Sequence, residues 1–221
     1  MKNITLEDVK ASEVVKQYIR HADVVMGAMG YTEHGFTHVL RCAEMAGRWL
    51  LQLGYTEREA ELARIAGYMH DIGNVINRVG HAMTGALLSR SLLQELGMPT
   101  KDIVEVITAI GHHDEKTAVP VTPITAALIL ADKTDVRRSR VRDKGNISAD
   151  IHDRVNYAVE KSGTVLDVEA KTLTLNLGVD TAICSVMDYF AIFIDRMQLC
   201  RSASDFLHIY FQFNINGQAL I

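Results

Sequence analysis

Apolar positions recur at helical spacing through roughly the first 145 residues, then switch to strict alternation near the C-terminus. Val9, Val14, Val15, Tyr18, Ile19 and Val25 form an uneven stripe that predicts a first helix from about Leu6 to Met29. Gly30 and Gly35 bracket a break, and a second helix follows from about Phe36 to Leu53, ending at Gly54. Thr56 with Glu59 three residues on is a capping-box signature for a third helix that Gly73-Asn74 stops near Ile72. A fourth runs from about Gly80 to Leu96, with Gly97 and Pro99 beyond it. Thr100 is the expected cap of a fifth, about Lys101 to His113, and Thr122-Pro123 places a cap and a first-turn proline before a sixth, about Ile124 to Thr134.

A basic stretch from Val136 to Asn146 precedes a seventh, amphipathic helix at about Ala149 to Glu160. Lys171 to Leu177 then alternates with period two, as a half-buried strand does, and Val165 to Glu169 is its expected hairpin partner. A last helix, about Thr181 to Cys200, leads to a third strand, Leu207 to Ile215, and Asn216-Gly217 signals a turn. The expected fold is mainly α: a helical bundle with a small C-terminal antiparallel β-element. No repeat or low-complexity linker interrupts it, so the chain reads as one domain, 1–221, with a C-terminal α/β appendage at about 162–221.

Composition narrows the functional classes. At 221 residues, 48% hydrophobic and 23% charged, the chain has the make-up of an ordinary globular protein, and a formal net charge of −4 gives no global field favouring nucleic acid. The first ten residues are polar and amphipathic, without the apolar core of a secretory signal, and no apolar run reaches the ~18 residues of a membrane helix. A cytoplasmic protein without membrane or nucleic-acid partners is expected. Cys42, Cys184 and Cys200 are odd in number and form no C-x-x-C pair, so they read as buried free thiols and poor zinc ligands.

Five of the nine histidines and two aspartates form a spaced series on or beside these helices: His38, His70-Asp71, His81, His112-His113 and Asp132. Imidazole and carboxylate together are the donor set of a transition-metal site, and helices that turn such groups inward can build a two-metal centre. Adjacent residues on a helix point about 100° apart, so His70 and Asp71 share an ion only near a helix end. The segment before them, Leu62 to Met69, reads as buried, and a buried carboxylate is normally paired or bound to metal. A surface hydrogen bond is the alternative for an isolated His-Asp pair, solvent exposure the alternative for His81, and a helix-dipole interaction the alternative for His112-His113. His34, four residues before His38, is expected as a pocket neighbour.

In this order, His38, His70-Asp71 and Asp132 match the H…HD…D pattern one for one, and the set resembles the HD superfamily of metal-dependent phosphohydrolases. His70-Asp71-Ile72-Gly73 reproduces the family's HDIG variant, and the resemblance covers about residues 34–142. The additional His81, His112 and His113 resemble the subgroup with two metals. The resemblance implies an HD-type helical bundle, one or two divalent ions (Fe, Mn or Zn, with Mg as a further option), and metal-activated hydroxide attack on a nucleotide or other small phosphate ester. It implies Asp71 as the bridge between ions, His38, His70 and Asp132 completing one, and His81, His112 and His113 the other.

Lys133, Arg137 and Arg138 follow Asp132 directly and suit phosphate binding, with a solvated basic face as the alternative; Arg78 can also reach substrate. Asn74 stands where cyclic-dinucleotide phosphodiesterases of the HD-GYP type commonly have Lys, and no Gly-Tyr-Pro occurs. The diadenosine-tetraphosphate hydrolases are the nearer analogue. The competing readings are an HD-fold di-iron oxygenase and a metal-stabilised binding module without turnover. An exposed edge at Leu207 to Ile215 would favour a homodimer.

Overall fold

Short polar side chains set the boundaries of most elements, and they divide the first expected helix in two. In a computed structural model describing residues 3–142 and 151–220, α1 (Leu6–Ala11) starts at a capping box between Thr5 and Asp8. Ser12 then leaves helical geometry at φ −70°, ψ 113° and accepts from the Val15 amide to start α2 (Glu13–Ala28). Local hydrogen bonding by serine outcompetes one helical turn here, which the hydrophobic stripe does not reveal. The remaining helices of this part lie close to expectation: α3 (Phe36–Gln52), α4 (Glu57–Met69), α5 (His81–Glu95), α6 (Thr100–Gly111) and α7 (Pro123–Lys133). Thr56 and Glu59 form the expected capping box, and Thr122 accepts from the Thr125 amide at the start of α7. Thr100 does not cap α6; Pro99 occupies that position without a side-chain bond.

Residues Met1–Asp132 and Lys133–Ile221 form two compact units, a division earlier in the chain than the appendage expected near residue 162. In the first unit α2 buries Val15, Ile19, Ala22 and Met26, a stripe at helical spacing. The α3 and α4 helices approach so closely that a Cβ on Gly67 would lie 2.7 Å from the Ala43 Cα and amide nitrogen. That contact brings the helix of His38 against the helix that ends at His70. A 3-10 turn, Ile72–Val75, follows α4.

In the second unit α8 (Ile151–Ala158) passes directly into β1 (Val159–Asp167), which pairs antiparallel with β2 (Thr172–Val179). The start of the expected seventh helix, at 149, and Lys144 lie outside the described residues. A capping box at Ser185 and Asp188 starts α9 (Val186–Phe206), later and longer than expected. The chain returns in β3 (Tyr210–Ile215), turns through Asn216 and Gly217, both with positive φ, and ends in β4 (Gln218–Ala219).

The sheet order is β1-β2-β3-β4, and β3 pairs parallel to β2. The β-element is therefore mixed, not wholly antiparallel, because α9 is a crossover that returns the chain to the same end of the sheet. The β3 strand, expected as an open edge, pairs with β2 along its length and with β4 at Asn214 and Ile215. Leu173, Leu175 and Leu177 alternate inward with Phe211, Phe213 and Ile215, and Tyr189 of α9 stacks on Phe213 at 5.6 Å between ring centroids. Among the described residues no helix is long and apolar enough to cross a membrane.

Candidate metal centre

Six of the seven expected ligands converge in the first unit, each delivered by the end of a helix or an adjoining turn. His38 lies in the first turn of α3. His70 closes α4, and Asp71 begins the 3-10 turn at φ −96°, ψ 0°. This change of helix type defeats the 100° divergence of neighbouring helical side chains, and His70 Nε2 comes to 3.3 Å from Asp71 Oδ2. His81 opens α5 behind the left-handed Gly80. His113 follows α6, and Asp132 lies in the last turn of α7.

Asp71 sits between two sets of donors. Its Oδ2 faces His70 Nε2 and His38 Nε2, the latter at 3.7 Å. Asp132 Oδ1 lies 3.3 Å from His38 Nε2 and 3.9 Å from His70 Nε2, closing this half. Asp71 Oδ1 faces His81 Nε2 at 3.6 Å, and His81 Nε2 lies 3.2 Å from His113 Nε2. The ring centroids of His70 and His113 are 4.9 Å apart, so the halves are contiguous. His38, His70, Asp71, His81 and His113 are all buried.

The histidines are held in one tautomer by their own backbone. His70 Nδ1 donates to the Gly67 carbonyl at 2.8 Å, His81 Nδ1 to that of Arg78 at 2.9 Å, and His113 Nδ1 to that of Ile110 at 2.6 Å. In each case the acceptor is three residues back, and Nε2 is left with its lone pair turned to the centre, as metal-ligating histidines are prepared. Two consequences show that a cation fits. His70 Nε2 and Asp71 Oδ2 are buried without a hydrogen-bond partner, since their 3.3 Å contact lacks hydrogen-bond alignment. The Nε2 atoms of His81 and His113 lie 3.2 Å apart, and the Arg78 guanidinium donates to His81 Nε2 at 3.3 Å, so this pole already draws a positive group.

Charge follows the same geometry. Burial opposes ionisation of Asp71, but His70 beside it, with His34 and His81 further off, outweighs burial and holds the carboxyl well below its usual range. Burial works against a charged His70, yet Asp71, Asp132 and the Gly67 carbonyl together raise it above an ordinary histidine. His81 goes the other way: burial, assisted by the Arg78 charge, lowers it against the pull of Asp71.

His112 makes no described hydrogen bond or ion pair with the other donors; it ends α6, is only half-buried, and its Nδ1 is buried without a hydrogen-bond partner, whereas His113 Nδ1 is anchored on the Ile110 carbonyl. Cys42 does join it, against expectation: one turn after His38, its Sγ lies 3.6 Å from His38 Nδ1, and His38, Cys42, His70 and Asp132 form a group able to hold an ion. Its four-residue spacing from His38 on one helix was the signal for it. Asn74 was also missed as a structural partner; it donates from Nδ2 to Asp71 Oδ1 at 2.8 Å and to the Asp71 carbonyl at 2.9 Å. His34 lies beside His38 at 5.6 Å between ring centroids, the neighbour it was expected to be.

Of the basic residues, Arg78 reaches the cluster, with Nη1 3.7 Å from Asp71 Oδ1. Lys133 is buried at the end of α7. In the second unit, Arg137 grips Asp135 through Nε and Nη2 at 2.6 and 3.0 Å. Arg138 donates to the Tyr157 carbonyl and lies over the Tyr157 ring. These two guanidiniums are thus engaged within their own unit.

Residues 35–139 match the family model of the HD domain. The chain carries an HD domain. Its ordered histidines and aspartates, His38, His70-Asp71 and Asp132, are the residues that gather in the buried centre. The HD domain has sequence relatives of unequal extent. An uncharacterized protein of Methanocaldococcus jannaschii is 25% identical over 150 residues, 58% of this chain and 58% of that protein. Ribonuclease Y of Thermus thermophilus is 30% identical over 120 residues, 51% of this chain but 19% of the enzyme. The chain thus spans little more than half of the first relative and a fifth of the second. A crystal structure of a predicted HD superfamily hydrolase from an uncultured Thermotogales bacterium is similar with 26% identity and a TM-score of 0.44, covering 56% of this chain and 67% of that one.

Proposed function

We propose that the HD domain is a two-metal phosphohydrolase centre acting on a nucleotide or another small phosphate ester. The observation that carries this reading is the division of labour at Asp71: one carboxylate oxygen faces His38 and His70, the other faces His81, and three Nε2 atoms are turned inward by backbone-anchored Nδ1 protons. His38, His70, Asp71 Oδ2 and Asp132 would hold one ion. Asp71 Oδ1, His81 and His113 would hold the other. Divalent ions so held supply Lewis-acid polarisation of a phosphoryl oxygen and an activated water for in-line attack.

The protein's own residues do the positioning. Asn74 fixes the Asp71 carboxylate through Oδ1 and so sets the directions of both oxygens. The carbonyls of Gly67, Arg78 and Ile110 hold the proton of three imidazoles on Nδ1 and keep Nε2 aimed at the centre. The donor set of imidazole and carboxylate, with the Cys42 thiol adjacent, suits Fe, Mn or Zn. A small phosphorylated substrate remains our reading over nucleic acid, despite the ribonuclease among the relatives, because the net charge of −4 supplies no electrostatic attraction for a polyanion.

The test pairs metal analysis with a phosphate-release screen over nucleotides and a short oligoribonucleotide, with Fe, Mn and Zn supplied separately. Asp71→Ala is expected to lose metal retention and turnover together. Full metal content with full turnover in that variant would refute the assignment, and dioxygen consumption without phosphate release would favour the oxygenase reading.

A further inference from the structure

The Arg78 guanidinium stands where a second ion would stand. Its Nη1 lies 3.3 Å from His81 Nε2, 3.3 Å from Asn74 Oδ1 and 3.7 Å from Asp71 Oδ1. All three are acceptor atoms around one pole of the centre, and two of them are the atoms assigned above to the second metal. A guanidinium and a divalent ion cannot share that pole, because like charges about 4 Å apart in a poorly hydrated site repel by several kcal/mol. The side chain is partly exposed, so it has a route outward. Tyr31 marks that route: the Arg78 Cζ lies 5.7 Å from the centroid of its half-exposed ring. The backbone need not follow, since the Arg78 carbonyl is fixed by His81 Nδ1 at 2.9 Å.

We propose that Arg78 is an internal counter-cation that competes with the second metal ion for Asp71 Oδ1 and His81 Nε2. Filling of the His81–His113 half displaces the guanidinium toward Tyr31, and the displaced guanidinium binds a phosphate oxygen of the substrate. Arginine suits both states: it is charged at every relevant pH, and it binds carboxylate or phosphate through several parallel donors. The inference rests on the two-ion reading of the centre.

The experiment is a calorimetric titration of the metal-free protein with Mn2+, followed by inorganic phosphate, in the wild type, Arg78→Met and Arg78→Lys. The expected result is a second Mn2+ equivalent that binds Arg78→Met at least about tenfold more tightly than wild type, because the ion no longer displaces a charge-assisted contact. Arg78→Lys should fall between the two. Phosphate should bind the Mn2+-loaded Arg78→Met more weakly than the loaded wild type. Two equivalents binding with equal affinity in wild type and Arg78→Met would overturn the competition while leaving the two-ion centre intact. A single equivalent in all three proteins would overturn both.

Discussion

Gly73→Ala should damage the fold and the metal centre together, and the structure gives the size of the effect. Gly73 belongs to the 3-10 turn after Asp71, and a Cβ there would lie 2.0 Å from the His81 carbonyl oxygen, 2.5 Å from the Gly85 amide nitrogen and 2.7 Å from Thr84 Oγ1. Real Cβ contacts do not fall under 3.0 Å, and two of these atoms are backbone of α5, which no rotamer change can move. The turn and α5 must separate by at least about 1 Å, an overpacking cost of about 3 kcal/mol. His81 opens α5, so the same shift carries its Nε2 away from Asp71 Oδ1 and His113. A displacement near 1 Å of a functional group costs about a hundredfold in rate.

Gly111→Ala is the matched control. It lies in α6, and its Cβ would meet only the Ala86 Cβ at 3.9 Å. It should be neutral or stabilising by up to about 1 kcal/mol from helix propensity. Urea unfolding followed by circular dichroism, with metal stoichiometry on the same samples, reads both effects. Equal midpoints and equal metal content for Gly73→Ala and wild type would refute the steric argument.

Two further outcomes follow from the anchoring of the imidazoles. His113→Ala should lose one metal equivalent, whereas His112→Ala should keep full metal content; the reverse pattern in elemental analysis would reassign the ligand. Metal affinity should fall on acidification, and the half containing His70 should weaken first. A raised His70 binds a proton that an incoming ion must displace, and that protonated fraction grows as pH falls through its raised value. His81, being lowered, stays neutral into more acidic solution, and Asp71, held well below its usual range, remains a carboxylate throughout. Mn2+ titrations from neutral to mildly acidic pH test this, and a pH-independent first equivalent would contradict it.

Much of the fold is written in local chemistry. The capping box at Thr56, the Asn216-Gly217 turn and the two-residue alternation of β2 all act within a few residues, so the corresponding boundaries follow from sequence to within a turn or so. The errors came where a local hydrogen bond overrode a hydrophobic stripe, as at Ser12, where an element starts away from its expected position, as β1 does at Val159 and α9 at Val186, or where pairing joined distant strands. The parallel partnership of β2 and β3 spans the whole of α9, and alternation in β3 is the same whichever way its partner runs.

The candidate centre divides along the same line. Sequence alone supplied the residue types and their order, His38, His70-Asp71, His81, His112-His113 and Asp132, because donor chemistry belongs to the side chain itself. It could not distinguish His113 from His112, since that choice depends on which ring nitrogen finds the Ile110 carbonyl at the end of α6. It also treated Gly73 as a helix stop, whereas the tertiary structure makes it the point where α5 presses on the turn that bears Asp71. Cys42, Asn74 and Arg78 gained their roles only when α3, α5 and the 3-10 turn were brought within a few ångströms of one carboxylate. Ligand identity is a covalent property of the chain. The direction of a lone pair, and which cation it meets, is a property of packed helices.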